Sequence, residues 1–121
     1  MKNLTFLFFI LLVSSCTMQS ETEYLISDEK VYLKVGANTT EAELIEISKE
    51  LLAERNISID FQDSEFDDNG KIIDLDLNVD FNDGNSGSTH AEQIALMINK
   101  FGFSRDYTED SKAPIHIGTF N

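Results

Sequence analysis

The sequence predicts an α+β domain in which two one-sided helices cover a single face of a four-stranded antiparallel sheet. Three observations carry that expectation. Two capping boxes each open an apolar stripe at helical spacing, the run from Ile73 to Phe81 alternates strictly between apolar and polar, and an Asn-Gly turn stands just ahead of it.

Taken in order, Val31, Leu33 and Val35 face one way and Lys30 and Lys34 the other, which is the pattern of a half-buried strand closed by Gly36. Thr40 and Glu43 then form the first capping box, with Leu44, Ile45, Ser48, Leu51 and Leu52 as the stripe and Arg55 in the last turn. Ile57, Ile59 and Phe61 alternate with Ser58 and Asp60 in a second strand. Asp67-Asp68-Asn69-Gly70 supplies the positive-φ residues of a hairpin turn. The third strand places Ile73, Leu75, Leu77, Val79 and Phe81 on the core side and Asp74, Asp76, Asn78 and Asp80 toward water. After a loop from Asn82 to Gly87, Thr89 and Glu92 make the second capping box. Ala91, Ile94, Ala95, Ile98 and Phe101 form its stripe, with Gly102 at the C-terminal αL position. Ile115-His116-Ile117, entered through Pro114, reads as a short edge strand.

The resulting order, β-α-β-β-α-β, is that of the ferredoxin-like split sandwich, with the first and third strands central and the second and fourth at the edges. Residues 24–121 make one such α/β domain, and 16–23 form a polar, flexible tether ahead of it.

Residues 1–15 have the layout of a secretory signal. Lys2 begins it, the apolar run from Leu4 to Val13 follows, and two serines close it. As a helix such a run rises only about 15 Å, roughly half the hydrocarbon thickness of a bilayer, so it is too short to span. Val13-Ser14-Ser15-Cys16 resembles the bacterial lipobox, and the resemblance implies a lipoprotein whose acylated Cys16 becomes the mature N-terminus. The alternative is an ordinary signal peptide cut nearby, which leaves Cys16 as a free thiol. With one cysteine in the chain no disulfide can form, and the core alone must hold the fold. Thr17 lacks the aspartate that resembles an inner-membrane retention signal, so the outer membrane is the preferred destination.

Cleavage before Cys16 removes one lysine and no acid. That leaves 8 basic residues against 22 acidic ones, a formal net charge of −14. Such a charge repels nucleic acid and anionic lipid surfaces, so phosphate-backbone binding is disfavoured as a function. No catalytic constellation stands out. His90 and His116 lack the spacing of a zinc site, Asp74, Asp76 and Asp80 lie on a wet face where paired carboxylates keep similar pKa values, and there is no Gly-rich phosphate cradle or nucleophile elbow. Neither a cofactor nor a metal is expected. Glu65 to Gly70 followed by Asp76 approximates a calcium loop, but Glu65 and Asp76 depart from its ends, and a hairpin turn accounts for the same letters.

Asn38-Thr39-Thr40-Glu41-Ala42-Glu43-Leu44 and Asn69-Gly70-Lys71-Ile72-Ile73 together resemble a small α/β module of exported bacterial envelope lipoproteins. They are also similar to the non-catalytic segment that accompanies some membrane metallopeptidases of the β-lactam-sensor-like class. The peptidase chemistry does not follow, because no His-Glu-x-x-His is present. The expected function is a non-enzymatic, lipid-anchored interaction module of the cell envelope. Its partners are the membrane and an envelope protein or peptide met at the acidic face or an open sheet edge. A peptidase-associated inhibitor or pro-segment-like domain and a calcium-dependent structural module are the alternatives.

Overall fold

A computed structural model describes residues 21–111 and 114–120. Its elements are β1 (Glu23–Ile26), β2 (Lys30–Val35), α1 (Glu41–Arg55), β3 (Ser58–Asp60), β4 (Glu65–Phe66), β5 (Ile72–Asp80), β6 (Ser86–Glu92), α2 (Gln93–Ile98), β7 (Lys100–Asp106) and β8 (Ile115–Phe120). All strand pairs are antiparallel, and they form two four-stranded sheets. The first has the order β1-β2-β7-β8. In the second, β3 and β4 share one edge of β5 and β6 occupies the other.

The mixed α/β character and antiparallel pairing are as the sequence predicts, but the single split sheet is corrected. β2 pairs with β1 and β7 rather than with β5, so the two strongest strands sit at the centres of different sheets. Each retains its expected central place, and β3 and β8 their edge places. The strands that rearrange the layout are the ones the periodicity did not reveal, β1, β6 and β7.

α1 begins as expected. Thr40 Oγ1 accepts the Glu43 amide at 3.2 Å while Glu43 Oε1 accepts the Thr40 amide at 3.0 Å, a closed capping box that stabilises the first turn by about 1 kcal/mol. The helix ends at Asn56, which holds a left-handed φ of 56°. Its buried stripe is Leu44, Ile47 and Leu51, while Ile45 and Leu52, expected inside, are exposed.

The second predicted helix is mostly strand. From Ser86 to Glu92 every residue is in register with β5, and Thr89 lies opposite Leu77 instead of capping a helix. A ladder of this length satisfies more backbone groups than one capping box can offer, so the local signal yields. Only the six residues of α2 remain helical, and its N-cap residue Glu92 makes no side-chain capping bond. Gly102 is a β7 residue opposite Lys34, not a helix terminus.

On β5 the phase of alternation breaks once. Glu65 pairs with Asp74 and Phe66 with Ile72, so Ile73 is the unpaired residue of a bulge. The bulge turns Ile72 into the core and leaves Ile73 half-buried, whereas unbroken alternation predicts the reverse. One apolar cluster joins Val31, Leu33 and Val35 of β2, Phe103 of β7, Leu75, Leu77 and Val79 of β5 and the α1 stripe. Phe81 meets Phe103 edge-on at 5.6 Å between ring centroids. Full burial of each large member contributes roughly 1.5–3 kcal/mol, which is how a domain without disulfides holds together.

Candidate functional surfaces

The acidic loops are built as turns. Asp67 Oδ1 accepts the amides of Asn69 and Lys71, both at 2.9 Å, and the Gly70 amide donates to the Asp67 carbonyl. These bonds make Asp67 Oδ1 the acceptor that closes the turn. The second loop follows the same rule, with Asp80 Oδ1 taking the Asn82 amide and Asp83 Oδ1 taking the backbone and side-chain amides of Asn85.

On the polar side of the second sheet, Ser58, Asp80 and Ser86 form one cross-strand row and Asp60, Asn78 and Ser88 the next. Together they line an open groove of about 390 Å³. Among the described residues its polar lining is carboxylate, amide and hydroxyl. Asp80, at the groove, is exposed, while Asp74 and Asp76 farther along β5 are half-buried.

His90, expected in a helix's first turn, instead stands on β6. Its Nε2 donates to Asp74 Oδ2 at 3.1 Å. That hydrogen bond, the Asp74 charge, and the nearby Asp76 and Glu92 raise the imidazole pKa above 6.5. Protonated His90 is thus favoured in the folded state. Its contribution to stability is complete below about pH 6.5 and fades as pH rises through the higher folded value. An NMR titration of the His90 ring protons should show a pKa above that of a free imidazole, and Asp74→Asn should bring it down. A midpoint indifferent to that substitution would rule out the pairing. His116 lies exposed on β8, as expected, donating to the Thr119 carbonyl at 2.9 Å with its ring 4.7 Å from that of Phe120.

Both arginines of the chain converge on one tyrosine. Arg55 and Arg105 stack on the Tyr107 ring at 4.4 and 4.9 Å, and Arg105 also covers Phe81 at 4.9 Å. Arg105 Nη2 donates to Asp83 Oδ2 at 2.8 Å, which holds the Asp83 carboxyl below the usual carboxylate range. This stack ties the Asn82–Asn85 loop to β7 and the end of α1. Nothing in the sequence pattern links these residues, because stacking partners carry no spacing rule.

The start of the domain is fastened more firmly than a tether requires. The Thr22 hydroxyl donates to Glu43 Oε1 at 2.9 Å and lies 2.6 Å from the hydroxyl of buried Thr39. Glu23 Oε2 receives a bond of 2.5 Å from Lys100 Nζ, whose side chain is 7% exposed. Thr22 and Glu23, read from the sequence as the last of the tether, therefore belong to the folded body.

α2 presents the most exposed apolar surface among the described residues. Ile94, Met97 and Ile98 are 72%, 64% and 67% exposed, whereas Leu96 on the opposite side is buried. The sequence expectation put Ile94 and Ile98 in the core together with Ala91 and Phe101. Shortening the helix to six residues detaches the stripe from that role, since Ala91 and Phe101 are now strand residues. Cys16, the one residue to which the sequence assigns a modification, lies outside the described residues. Comparison of the chain with protein-family models, curated proteins and solved structures finds no match.

Proposed function

We propose that this chain is a lipid-anchored, non-enzymatic binding module of the cell envelope, held at the outer membrane by acyl chains on Cys16. The observation that carries this reading is where the folded body begins. Thr22 is already hydrogen-bonded to Glu43 six residues after Cys16, so acyl chains on that cysteine keep the domain at the bilayer surface. The resemblance of Val13 to Cys16 to a lipobox supplies the chemistry.

A binding role suits a domain whose loop aspartates are occupied as turn acceptors and whose histidines are engaged by Asp74 and the Thr119 carbonyl. Among the described residues β1 and β8 are the edges of the first sheet, where an envelope protein or peptide could add a strand. The strongly negative net charge speaks against nucleic acid as the partner. Metabolic labelling with radioactive palmitate tests the anchor. Wild-type chain should take up label, and Cys16→Ser should take up none and accumulate with its N-terminal segment intact. Unlabelled wild type, or equal label in the variant, would remove the proposal.

A further inference from the structure

We infer that α2 is a bilayer-seating surface: Ile94, Met97 and Ile98 enter the interfacial layer of the membrane that carries the Cys16 acyl chains. The inference rests on the anchored reading above and adds an orientation to it.

Spacing at i, i+3 and i+4 puts the three side chains on one helix face, and all three are about two-thirds exposed. The chemistry of the segment is also unlike its surroundings. In a chain that is 26% charged, Gln93 to Asn99 contains no charged residue at all. The exposed side of α1, by contrast, carries Glu46, Glu50 and Glu54.

Topology then places the end of α2 near the point where the tether leaves. β1 and β7 both pair antiparallel with β2, so they run parallel to each other and begin at the same end of the first sheet. Two strand spacings, about 10 Å, separate them. The Lys100–Glu23 ion pair spans that gap and joins the first residue of β7 to the first residue of β1. Ile98 is two residues before Lys100, and Cys16 is seven before Glu23. Seven residues reach at most roughly 25 Å, so Cys16 stays within that distance of the start of β1, at the end of the sheet where α2 stops. The anchor thus limits distance, and the apolar face selects which side of the domain meets the lipid. A second apolar contact of this kind is how weakly inserted segments gain a defined pose at an interface.

The test uses the full acylated chain with Met97→Cys. Acylation occupies the Cys16 sulfur as a thioether, so a polarity-sensitive dye reacts at position 97 alone. Asp68→Cys, in the β4–β5 turn, provides the comparison. In phosphatidylcholine vesicles the dye at 97 should shift to shorter wavelength and be quenched by brominated lipid, and the dye at 68 should keep its aqueous emission. Adding Ile94→Ser and Ile98→Ser should return the dye at 97 to aqueous emission while far-ultraviolet circular dichroism stays unchanged. Protein that floats with vesicles but keeps a water-exposed dye at 97 overturns the inference and leaves the anchor standing. Failure to float, with dye also reacting at Cys16, overturns the anchored reading and this inference with it. A shift already present without vesicles, in a species of dimeric mass, assigns the face to a second copy and overturns the inference as well.

Discussion

Gly102→Ala is expected to lower the melting temperature more than substitution at any other glycine described. A Cβ built at Gly102 falls 1.9 Å from the Leu33 carbonyl oxygen and 2.9 Å from the Leu33 carbonyl carbon, both backbone atoms in the facing strand. No rotamer change can relieve such a contact, so β2 and β7 would have to part at the centre of the first sheet. Leu33 and Phe103, paired in the adjacent register position, are both fully buried, and moving the strands disturbs the core as well as the ladder. Overpacking of side chains alone costs roughly 1–3 kcal/mol, and a backbone collision belongs at or above the top of that range. For a domain of this size about 3 kcal/mol corresponds to a fall of roughly 12–24 °C. Gly84→Ala provides the contrast, because its added Cβ meets nothing and only the φ of +96° opposes it. Thermal unfolding followed by circular dichroism should rank the two variants in that order. Near-equal melting temperatures would show that the strands yield easily at Gly102.

The same glycine shows what the sequence could reveal and what it could not. Local signals with a defined geometry are found where they were expected. The Thr40–Glu43 box caps α1, the Asp67–Gly70 turn leads into β5 with Gly70 but not Asn69 at positive φ, and β2 and β5 show the alternation that one buried face imposes. Most of the differences share one cause, which is that the deciding interaction is a strand pairing set outside the local segment. Thr89, Glu92 and Gly102 have the letters of a helix start and stop, but β5 captures the first two and β2 the last. Ile72 and Ile73 exchange roles because of a bulge opposite Glu65 and Phe66, a feature of pairing with no local signature. The candidate surface was hidden for a related reason. Ile94 and Ile98 look like core residues as long as Ala91 and Phe101 belong to the same helix, and they become a surface once the strands on either side claim those two. Legibility therefore ends where backbone pairing between distant segments outweighs propensity within one.

Breaking the Lys100–Glu23 pair from the Glu23 side should be costly, and removing Lys100 as well should restore most of the loss. Lys100 is 7% exposed along its side chain, while Glu23 is 48% exposed. Glu23→Ala therefore leaves an ammonium in an enclosed site with its nearest counter-charge gone. Loss of one partner from a fully buried pair costs about 3–5 kcal/mol, and the half-exposed carboxylate brings the expectation here down to roughly 2–3 kcal/mol. Lys100→Met keeps the aliphatic stem and removes the charge, so it should be close to neutral, since apolar replacement of a buried ion pair often is. The double variant Glu23→Ala/Lys100→Met should resemble Lys100→Met alone, a coupling that urea denaturation of all four proteins measures directly. If Glu23→Ala costs less than about 0.5 kcal/mol, the pair behaves as an ordinary surface bridge and does not secure the start of β1. The expected result has a further consequence for the membrane-bound protein. With the pair broken, the first strand can fray from Thr22 onward, lengthening the leash between Cys16 and the domain and loosening the coupling of anchor to α2. The dye at position 97 would then sample water more often in Glu23→Ala than in the parent, even though both remain attached to vesicles.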